Sequence, residues 1–451
     1  MDRLIDALRA ELGNSGLLVG ADIGERYRSD RSLSGTQLPL AVLRPASTAE
    51  VSAALRLCHA HDVCVVPQGG MTGLAGGANP DASAIVLSLE RMSGVEEIDA
   101  TAATMTLLAG TPLEIAQAAA QAQGFLLGLD LGSRGSCQVG GNISTNAGGY
   151  RVIRYGMARA HVLGLEAVLA DGTIVSDIRK MLKNNTGYDW KQLFIGAEGT
   201  LGIITRAVLR LATKPATVST AMCALENFAA VLEVLKSARR ELASLTAFEV
   251  MWQSFHNFSA RQAGLNFFDK EPPFILIIEQ SGSDAAKDAD LFEAFLSRAM
   301  EAGHLTDCLI AQSEADTAKF WTLRETLVLD RLPDLVNFDV SLDIARLGEF
   351  ADQCAAAIEA RWPGCHHSYF GHIGDGNLHV CVSAGPDQHA VDELVYNVVR
   401  QFNGSISAEH GIGTLKKDFL GYSRSPEELA LMARIKQALD PKGILNPGKV
   451  L

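Results

Sequence analysis

A glycine-rich loop between two apolar segments is the feature that most constrains the fold of this chain. Residues 66–77 read VPQGGMTGLAGG, with five glycines, and the apolar runs 63–66 and 84–89 flank them. Because glycine has no Cβ, such a loop can bring several backbone N–H groups close to an anion. The segment therefore predicts a strand–loop–strand unit that cradles a pyrophosphate, with a flexible surface loop as the plainer alternative.

A Rossmann dinucleotide site is the rival interpretation of this loop, and the spacing argues against it. That site needs G-x-G-x-x-G at the start of a helix and an acidic residue about 20 positions later. Here the glycines are followed by Asn79-Pro80-Asp81 and then by another strand-like run. The helix whose N-terminus would hold the phosphates is therefore missing.

Two further segments extend the prediction of a cofactor site. Residues 132–149 read GSRGSCQVGGNISTNAGG, and residues 198–203 read EGTLGI. Small polar side chains can hydrogen-bond a flat polar ring, while glycines let the ring lie close to the backbone. With the first loop, these segments indicate one cofactor site in the first part of the chain.

Charge and composition exclude other classes of function. The 451 residues carry a formal net charge of −13 and no block of Lys and Arg, so nucleic-acid binding is disfavoured. The N-terminal residues 1–12 lack the apolar core of a signal peptide, and no apolar run is long enough to span a bilayer. The eight cysteines form no CxxC pair, which favours buried thiols in a reducing compartment. We therefore expect a cytoplasmic protein.

The pattern of strands and helices predicts an α+β fold in three segments. Residues 1–214 alternate short strands and helices, and Asp171-Gly172 is a hairpin turn. Longer helical patterns alternate with strands in residues 215–424. Residues 425–451 hold a helix followed by Asp-Pro and Asn-Pro turns.

The sharpest chemical signal is the segment 372–379, which reads HIGDGNLH. Asp375-Gly376 predicts a two-residue hairpin turn that places His372 directly opposite His379. Cross-strand partners have Cβ atoms about 4.5–5.5 Å apart, so the two imidazoles could share one metal ion. The alternative is a pair of structural histidines on a polar face.

A carboxylate later in the chain offers a third ligand. Residues 407–413 read SAEHGIG, with Glu409 beside His410. Two histidines and one carboxylate form a metal site that leaves coordination positions open for a substrate. Zinc suits such a site, and so does manganese.

The motifs PQGGMTGLAGG, GSCQVGGNISTNAGG, NNTGYDW and GAEGTLGI carry a family resemblance over nearly the whole chain. The chain resembles flavoproteins of the vanillyl-alcohol oxidase type, in the branch of D-lactate, glycolate and D-2-hydroxyglutarate dehydrogenases. The resemblance implies an FAD-binding domain of two subdomains and an α+β substrate domain with an antiparallel sheet. The C-terminal Asn446-Pro447-Gly448-Lys449 is similar to the family ending that returns to the FAD domain.

The resemblance implies that FAD is bound without a covalent bond, because covalent relatives carry a His near the position of Met71. The loop that would cradle the pyrophosphate comprises Gln68, Gly69, Gly70, Met71, Thr72, Gly73, Leu74, Gly76 and Gly77. The residues that would line the isoalloxazine are Ser136, Gly140, Asn142, Thr145, Asn146 and Ala147. Ile203 would contact the adenine-ribose half. The other cofactor residues would be Pro67, Gly132, Ser133, Gly141, Glu198, Gly199, Gly202 and Asn446.

The same resemblance assigns His372, His379 and Glu409 as metal ligands and His410 as the catalytic base. It implies a dehydrogenase that oxidises a D-2-hydroxy acid, of the D-lactate or D-2-hydroxyglutarate type, to the 2-oxo acid. The metal would lower the pKa of the substrate hydroxyl, His410 would remove its proton, and the C2 hydrogen would leave as a hydride to flavin N5.

Arg324 is the candidate for holding the substrate carboxylate, because a guanidinium fork matches a carboxylate. The alternative places it on a solvated helix face beside Glu325. Two positions depart from the glutarate-type pattern, in which a Lys and an Asn stand where this chain has Asn337 and Cys381. Both departures remove groups that would hold a second carboxylate and leave room for a monocarboxylic acid such as lactate.

Several questions stay open at the level of the sequence. A flavin oxidase that acts on a 2-hydroxy acid such as glycolate with oxygen is one alternative, and a non-catalytic metal- or nucleotide-binding protein is another. The electron acceptor of a dehydrogenase would be an electron-transfer flavoprotein, a quinone or a cytochrome. The oligomeric state, including a homodimer, is not determined.

Overall fold

The computed structural model describes residues 2–325 and 328–451, which form two compact units. The first unit comprises residues 1–148, 156–214 and 409–451. The second comprises residues 149–155 and 215–408.

The secondary structure alternates helices and strands along the whole chain. The helices are α1 (Asp2–Leu12), α2 (Thr48–Ala60), α3 (Leu113–Ala122), α4 (Val139–Ser144), α5 (Val152–Tyr155), α6 (Ala158–His161), α7 (Lys191–Phe194), α8 (Phe228–Glu241), α9 (Gln253–Ala263), α10 (Ala285–Glu301), α11 (Glu314–Arg324), α12 (Leu347–Arg361), α13 (Gln388–Gln401) and α14 (Pro426–Leu439). The strands are β1 (Leu17–Val19), β2 (Ala41–Leu43), β3 (Val65–Gln68), β4 (Ile85–Ser88), β5 (Val95–Asp99), β6 (Thr104–Leu108), β7 (Phe125–Leu126), β8 (Val162–Val168), β9 (Ile174–Asp177), β10 (Ile203–Arg210), β11 (Ala212–Thr213), β12 (Thr217–Leu225), β13 (Leu245–Trp252), β14 (Phe274–Gly282), β15 (Asp307–Ile310), β16 (Leu335–Ser341), β17 (His366–His372) and β18 (Asn377–Ser383).

The first unit contains a small mixed sheet and a larger antiparallel one. The mixed sheet has the order β1-β2-β4-β3, in which β2, β4 and β3 run parallel. Parallel strands need a crossover connection, and α2 supplies it between β2 and β3. The antiparallel sheet has the order β5-β6-β10-β8-β9, and β8 and β9 form the predicted hairpin through Asp171-Gly172.

The C-terminal segment returns to the mixed sheet of the first unit. The N–H of Val65 donates to Ile444 O at 2.8 Å, and the N–H of Asn446 donates to Val65 O at 2.8 Å. Asp440 anchors this segment because its buried carboxylate accepts the N–H groups of Ile444 and Leu445. The chain therefore runs beside the strand that leads into the first glycine loop.

The second unit is built on a seven-stranded antiparallel sheet with the order β15-β12-β14-β13-β17-β18-β16. Every residue of β13 is buried. Helices α9 and α11 pack on one face of the sheet, where Phe255 and Phe320 join a core with Met222, Met251 and Ile277. The α+β architecture and the antiparallel sheet agree with the fold predicted from the sequence.

Two local predictions were wrong. Residues 139–144, which the sequence placed inside a loop, form α4. In the hairpin of β17 and β18, a short 3₁₀ turn at Ile373–Asp375 precedes Gly376, so that His379 lies opposite Phe370 rather than His372. The shift is two residues, so it leaves both histidines on the same face of the sheet.

Among the described helices, none combines the length and the apolar character needed to cross a bilayer.

Two buried histidines predict loss of stability in mild acid. Burial lowers the pKa of His161, in the first unit, from 6.5 to about 4, and it lowers the pKa of His256, in the second unit, to the same value. As the pH falls from 6.5 to 4, these histidines therefore take up protons in the unfolded chain but stay neutral in the folded protein. We expect each histidine to cost about 3 kcal/mol of stability across that interval, and none above it.

The measurement is the midpoint of thermal unfolding between pH 7.5 and pH 4. His256→Gln retains a donor for Pro272 O, which the ring nitrogen Nε2 contacts at 2.8 Å, and it should make the acid-side decline shallower. A decline as steep as that of the wild type would contradict this assignment.

Candidate functional site

The first glycine loop is closed by the side chain of Gln68 at the end of β3. Its Nε2 donates to Tyr27 O at 2.9 Å and to Ala78 O at 2.8 Å. Gln68 is buried, so its amide serves the loop itself. This contact ties the two ends of the loop together, and residues 69–77 form the arc between them.

Close backbone approach explains the glycine at position 70. A Cβ built there would collide with Ser136 O and lie 2.8 Å from Cys137 Cα, in the second glycine-rich segment. No larger residue fits without moving backbone. The first and second segments are therefore in direct contact, as one cofactor site requires.

The second segment folds into α4 and the turn that follows it. Gly140 packs against Ala109, where a Cβ would lie 2.7 Å from the alanine Cβ. At Gly141, in contrast, a Cβ would meet no atom within 4 Å, so that side of the helix is open. Thr145 Oγ1 donates to Gly141 O at 3.1 Å, and Asn146 Oδ1 accepts the N–H of Arg159 at 2.9 Å.

The other predicted cofactor residues lie in the same unit. Gly132 and Ser133 begin the turn before α4, where Ser133 O accepts the N–H of Ser136 at 2.9 Å. Gly199 packs against Pro67 and Gly202 packs against Phe194, so that a Cβ at either position would collide with the neighbouring ring. Ile203 is buried at the start of β10, and Asn142 and Ala147 are also buried. The remaining members are the arc residues Gly69, Met71, Thr72, Gly73, Leu74, Gly76 and Gly77.

Glu198 joins distant segments of the first unit through its half-buried carboxylate. Oε1 accepts the N–H of Ile412 at 2.7 Å, and Oε2 accepts the N–H of Gly413 at 2.8 Å. Burial raises the pKa of Glu198, and the two backbone hydrogen bonds oppose that rise. Asn446 Nδ2 donates to Gly77 O at 3.0 Å and to Glu198 O at 2.8 Å. The carboxylate therefore holds the backbone that follows His410.

Four residues of these loops have a strained backbone. Met71, Asn146, Glu198 and Asn446 have φ between 43° and 58°, a region that non-glycine residues rarely adopt. Such conformations persist where the surrounding structure imposes them, and they cluster at ligand sites.

The residues of the first unit fit FAD as a cofactor. Within the described part of the chain, the buried oxygens Gln138 Oε1, Asn142 Oδ1 and Asn446 Oδ1 have no hydrogen-bond partner. These acceptors stand beside glycine loops and the open side of α4. A flat cofactor with amide-like N–H groups and a pyrophosphate matches such a lining.

The two histidines of the hairpin lie close together in the second unit. Their ring centroids are 5.3 Å apart at an interplanar angle of 81°. Tyr150 meets the His372 ring edge-on at 5.5 Å, and Phe370 lies 5.0 Å from the His379 ring. The rings of these aromatic residues hold the two imidazoles on one face of the sheet.

Glu409, which lies in the first unit, is the third metal ligand that the sequence predicted beside the two histidines. The N–H of Ala408, just before Glu409, donates to Asp339 O at 3.1 Å. A Cβ at Gly148 would collide with Glu409 Oε1, so a glycine leaves room for this carboxylate. The donor set suits a divalent ion such as zinc. His410 follows in sequence and is partly buried.

Arg324 ends α11 and is buried, not on a solvated helix face. Its Nε donates to Glu249 Oε2 at 2.9 Å. The guanidinium lies over the Phe370 ring, 4.5 Å from the centroid, and 5.6 Å from the centroid of Tyr150. The solvated pairing with Glu325 is therefore wrong, and Arg324 shares a sheet face with the two histidines.

The two positions that depart from the glutarate-type pattern contact each other. Asn337 and Cys381 are cross-strand partners on β16 and β18. The thiol of Cys381 donates to Asn337 Oδ1 at 3.1 Å. Burial raises the pKa of Cys381 to about 12, so the thiol is neutral. This pair adds no cation beside Arg324.

Glu249 and Tyr150 are site residues that the sequence reasoning missed. Glu249 receives Arg324 on one oxygen and His372 Nδ1 on the other. Its signal was a single carboxylate in the otherwise apolar strand LTAFEVMW, because a buried charge requires partners. Tyr150 follows two glycines, and no pattern singled it out.

Comparisons with known families cover both parts of the chain. Residues 39–177 match the family described as FAD binding domain. Residues 214–450 match the family described as FAD linked oxidases, C-terminal domain.

Similar proteins span nearly the whole chain. The mitochondrial D-2-hydroxyglutarate dehydrogenase of Bos taurus is 42% identical over 91% of this chain and 76% of its own length. The D-2-hydroxyglutarate dehydrogenase of Xanthomonas citri pv. viticola is 40% identical over 94% of this chain and 92% of its own length.

Solved structures share the fold at low sequence identity. p-Cresol methylhydroxylase has a TM-score of 0.78 at 16% identity, covering 100% of this chain and 96% of that chain. An alkyldihydroxyacetonephosphate synthase has a TM-score of 0.77 at 18% identity, covering 99% and 84%. The chain thus belongs to the FAD-dependent oxidoreductases of the vanillyl-alcohol oxidase type, in the branch that contains the D-2-hydroxyglutarate dehydrogenases.

Proposed function

We propose that this enzyme oxidises a D-2-hydroxy acid to the 2-oxo acid with the help of a divalent metal, zinc or else manganese. The observation that carries the proposal is the pair of imidazoles His372 and His379, whose ring centroids lie 5.3 Å apart, in a chain of a flavin-enzyme family that also carries Glu409 beside His410. Relatives named D-2-hydroxyglutarate dehydrogenase support the class of substrate.

We propose that residues 1–214 and 425–451 bind FAD without a covalent bond, and that residues 215–424 supply the metal and substrate groups. The matched segments 39–177 and 214–450 support a boundary near residue 214. When bound, FAD supplies a two-electron acceptor for the hydride that leaves C2. Met71 stands in the loop at a strained φ of 58° and offers no nucleophilic nitrogen for a covalent link.

The chain's own residues then act on the substrate in distinct roles. The metal, when bound, supplies a positive charge that favours the deprotonated form of the substrate hydroxyl. His410 accepts the hydroxyl proton on an imidazole nitrogen. Arg324 binds the substrate carboxylate and orients C2, because its guanidinium is fixed by Glu249 and Phe370.

The groups near Arg324 support a second candidate substrate, a monocarboxylic acid of the D-lactate type. Asn337 and Cys381 satisfy each other and are both neutral. A second carboxylate placed beside them would gain no opposite charge from this pair. Comparing D-2-hydroxyglutarate with D-lactate therefore separates the two candidates.

We propose that an electron-transfer flavoprotein, a quinone or a cytochrome accepts the electrons from the reduced flavin. We also propose a cytoplasmic location. All eight cysteines are unpaired thiols, which is typical of a reducing compartment. Assembly as a homodimer remains open to measurement by light scattering.

A panel of D- and L-2-hydroxy acids tests the proposal directly. Dye-coupled reduction should occur with D-acids only, and a strong chelator should abolish it by removing the metal. Zinc or manganese should restore the activity. Full activity after complete metal removal would sink the metal role, and turnover of L-acids alone would sink the stereochemistry. Stoichiometric oxygen uptake without dye would identify an oxidase.

His410→Ala should separate cofactor binding from catalysis. We expect a full complement of flavin and a rate of flavin reduction by substrate that falls by about 10²–10⁴-fold, because the proton acceptor is lost. Stopped-flow absorbance of the flavin measures that rate. His389→Ala is the control, since His389 is an exposed residue of α13 and pairs with Glu393. An unchanged reduction rate in His410→Ala would exclude it as the base.

Gly70→Ala tests the proposed pyrophosphate loop. The added Cβ would displace the backbone at Ser136 and Cys137, so we expect the flavin content of the purified protein to fall at least several-fold. Gly24→Ala is the matched control, because a Cβ at Gly24 meets no atom within 4 Å. Equal flavin content in the two variants would contradict the assignment of the loop.

A further inference from the structure

Glu249 is a carboxylate in the middle of a fully buried strand. Its relative exposure is 0%, and its neighbours in β13 are Phe248 and Val250. An ionised group in such surroundings is stable only when both oxygens are engaged by donors. The role of Glu249 therefore follows from the two donors that its oxygens contact.

The register of the sheet determines the first partner. Glu249 and His372 are cross-strand neighbours on β13 and β17. His372 Nδ1 contacts Glu249 Oε1. A ring nitrogen that donates to a carboxylate carries the proton, so the other nitrogen, Nε2, keeps its lone pair.

The second partner comes from a different element of the same unit. Arg324, at the end of α11, donates its Nε to Glu249 Oε2 at 2.9 Å. This contact uses the side of the guanidinium that carries Nε. The two terminal nitrogens are not used by Glu249, and the stacking of the guanidinium on Phe370 at 4.5 Å restricts its rotation.

We propose that Glu249 is a positioning residue shared by the metal ligand His372 and the carboxylate-binding Arg324. One oxygen sets the tautomer and the angle of His372 for metal binding, and the other sets the angle of Arg324 for the substrate. Metal affinity and substrate affinity then depend on the same buried carboxylate. This inference rests on the proposed metal-assisted function and assigns the residue that links its two halves.

The test compares Glu249→Gln with the wild type as purified, FAD-containing enzyme. The amide of Gln cannot accept from both partners at once, so one of the two contacts is lost. We expect zinc affinity, measured by competition with a chromophoric chelator, to fall about 10–100-fold. The KM for the D-2-hydroxy acid should rise as well, while the ratio of flavin to protein stays unchanged.

Two further variants keep the test decisive. Glu249→Asp retains the charge but is one methylene shorter, so it reaches only one partner; it should weaken zinc binding or raise KM even if Glu249→Gln does not fold. Glu279→Gln is the matched control. Glu279 is also a buried carboxylate of the same sheet, but its partners are Thr220, Thr246 and Arg151, and it contacts neither His372 nor Arg324 among the described residues. It should leave zinc affinity unchanged.

The outcomes distinguish this inference from the proposed function. If the wild type needs zinc and both Glu249 variants bind zinc and substrate as the wild type does, the positioning role is overturned and the function stands. If chelation leaves the wild type fully active, the metal-assisted function itself fails. A loss of zinc affinity in Glu279→Gln equal to that in Glu249→Gln would reduce the effect to general loosening of the sheet and overturn the inference.

Discussion

The first unit depends on the carboxylate of Glu198 and its two backbone donors. Residues 198 and 412–413 are more than two hundred positions apart in the chain, yet they are joined at 2.7 and 2.8 Å. A half-buried carboxylate loses part of its hydration, and hydrogen bonds to both oxygens replace it. Displacement of the backbone after His410 would therefore break hydrogen bonds that stabilise the carboxylate. Asn446 adds the first glycine loop and the C-terminal segment to the same network.

The second unit has a similar arrangement around Glu249. In both units, a carboxylate accepts one donor on each oxygen, and in both cases the donors belong to segments that hold candidate catalytic groups. Polar contacts of this kind are directional, whereas apolar packing is not. The apolar cores provide stability, and the two carboxylates fix the orientation of the segments and side chains that donate to them.

Much of the candidate site was predictable because its signals are local. Close backbone contact at Gly70 requires a glycine, and the turn at Asp171-Gly172 favours this residue pair, so both features can be recognised in the sequence. The hairpin of His372 and His379 was predicted with the wrong register. Its conclusion survived because side chains alternate with a period of two, so a two-residue shift keeps both rings on one face, whereas a one-residue shift would have separated them.

The sequence by itself determined the α+β class, the glycine-rich segments and the residue types available for flavin and metal binding, but it placed residues 139–144 in a loop rather than in α4. Only the tertiary structure decided that Glu249 contacts both His372 and Arg324. It also decided that the thiol of Cys381 donates to Asn337. The physical reason is distance along the chain. Local propensity follows from neighbouring residues, but the partner of a buried charge is set by strand order and register, which pair residues as far apart as 249 and 372.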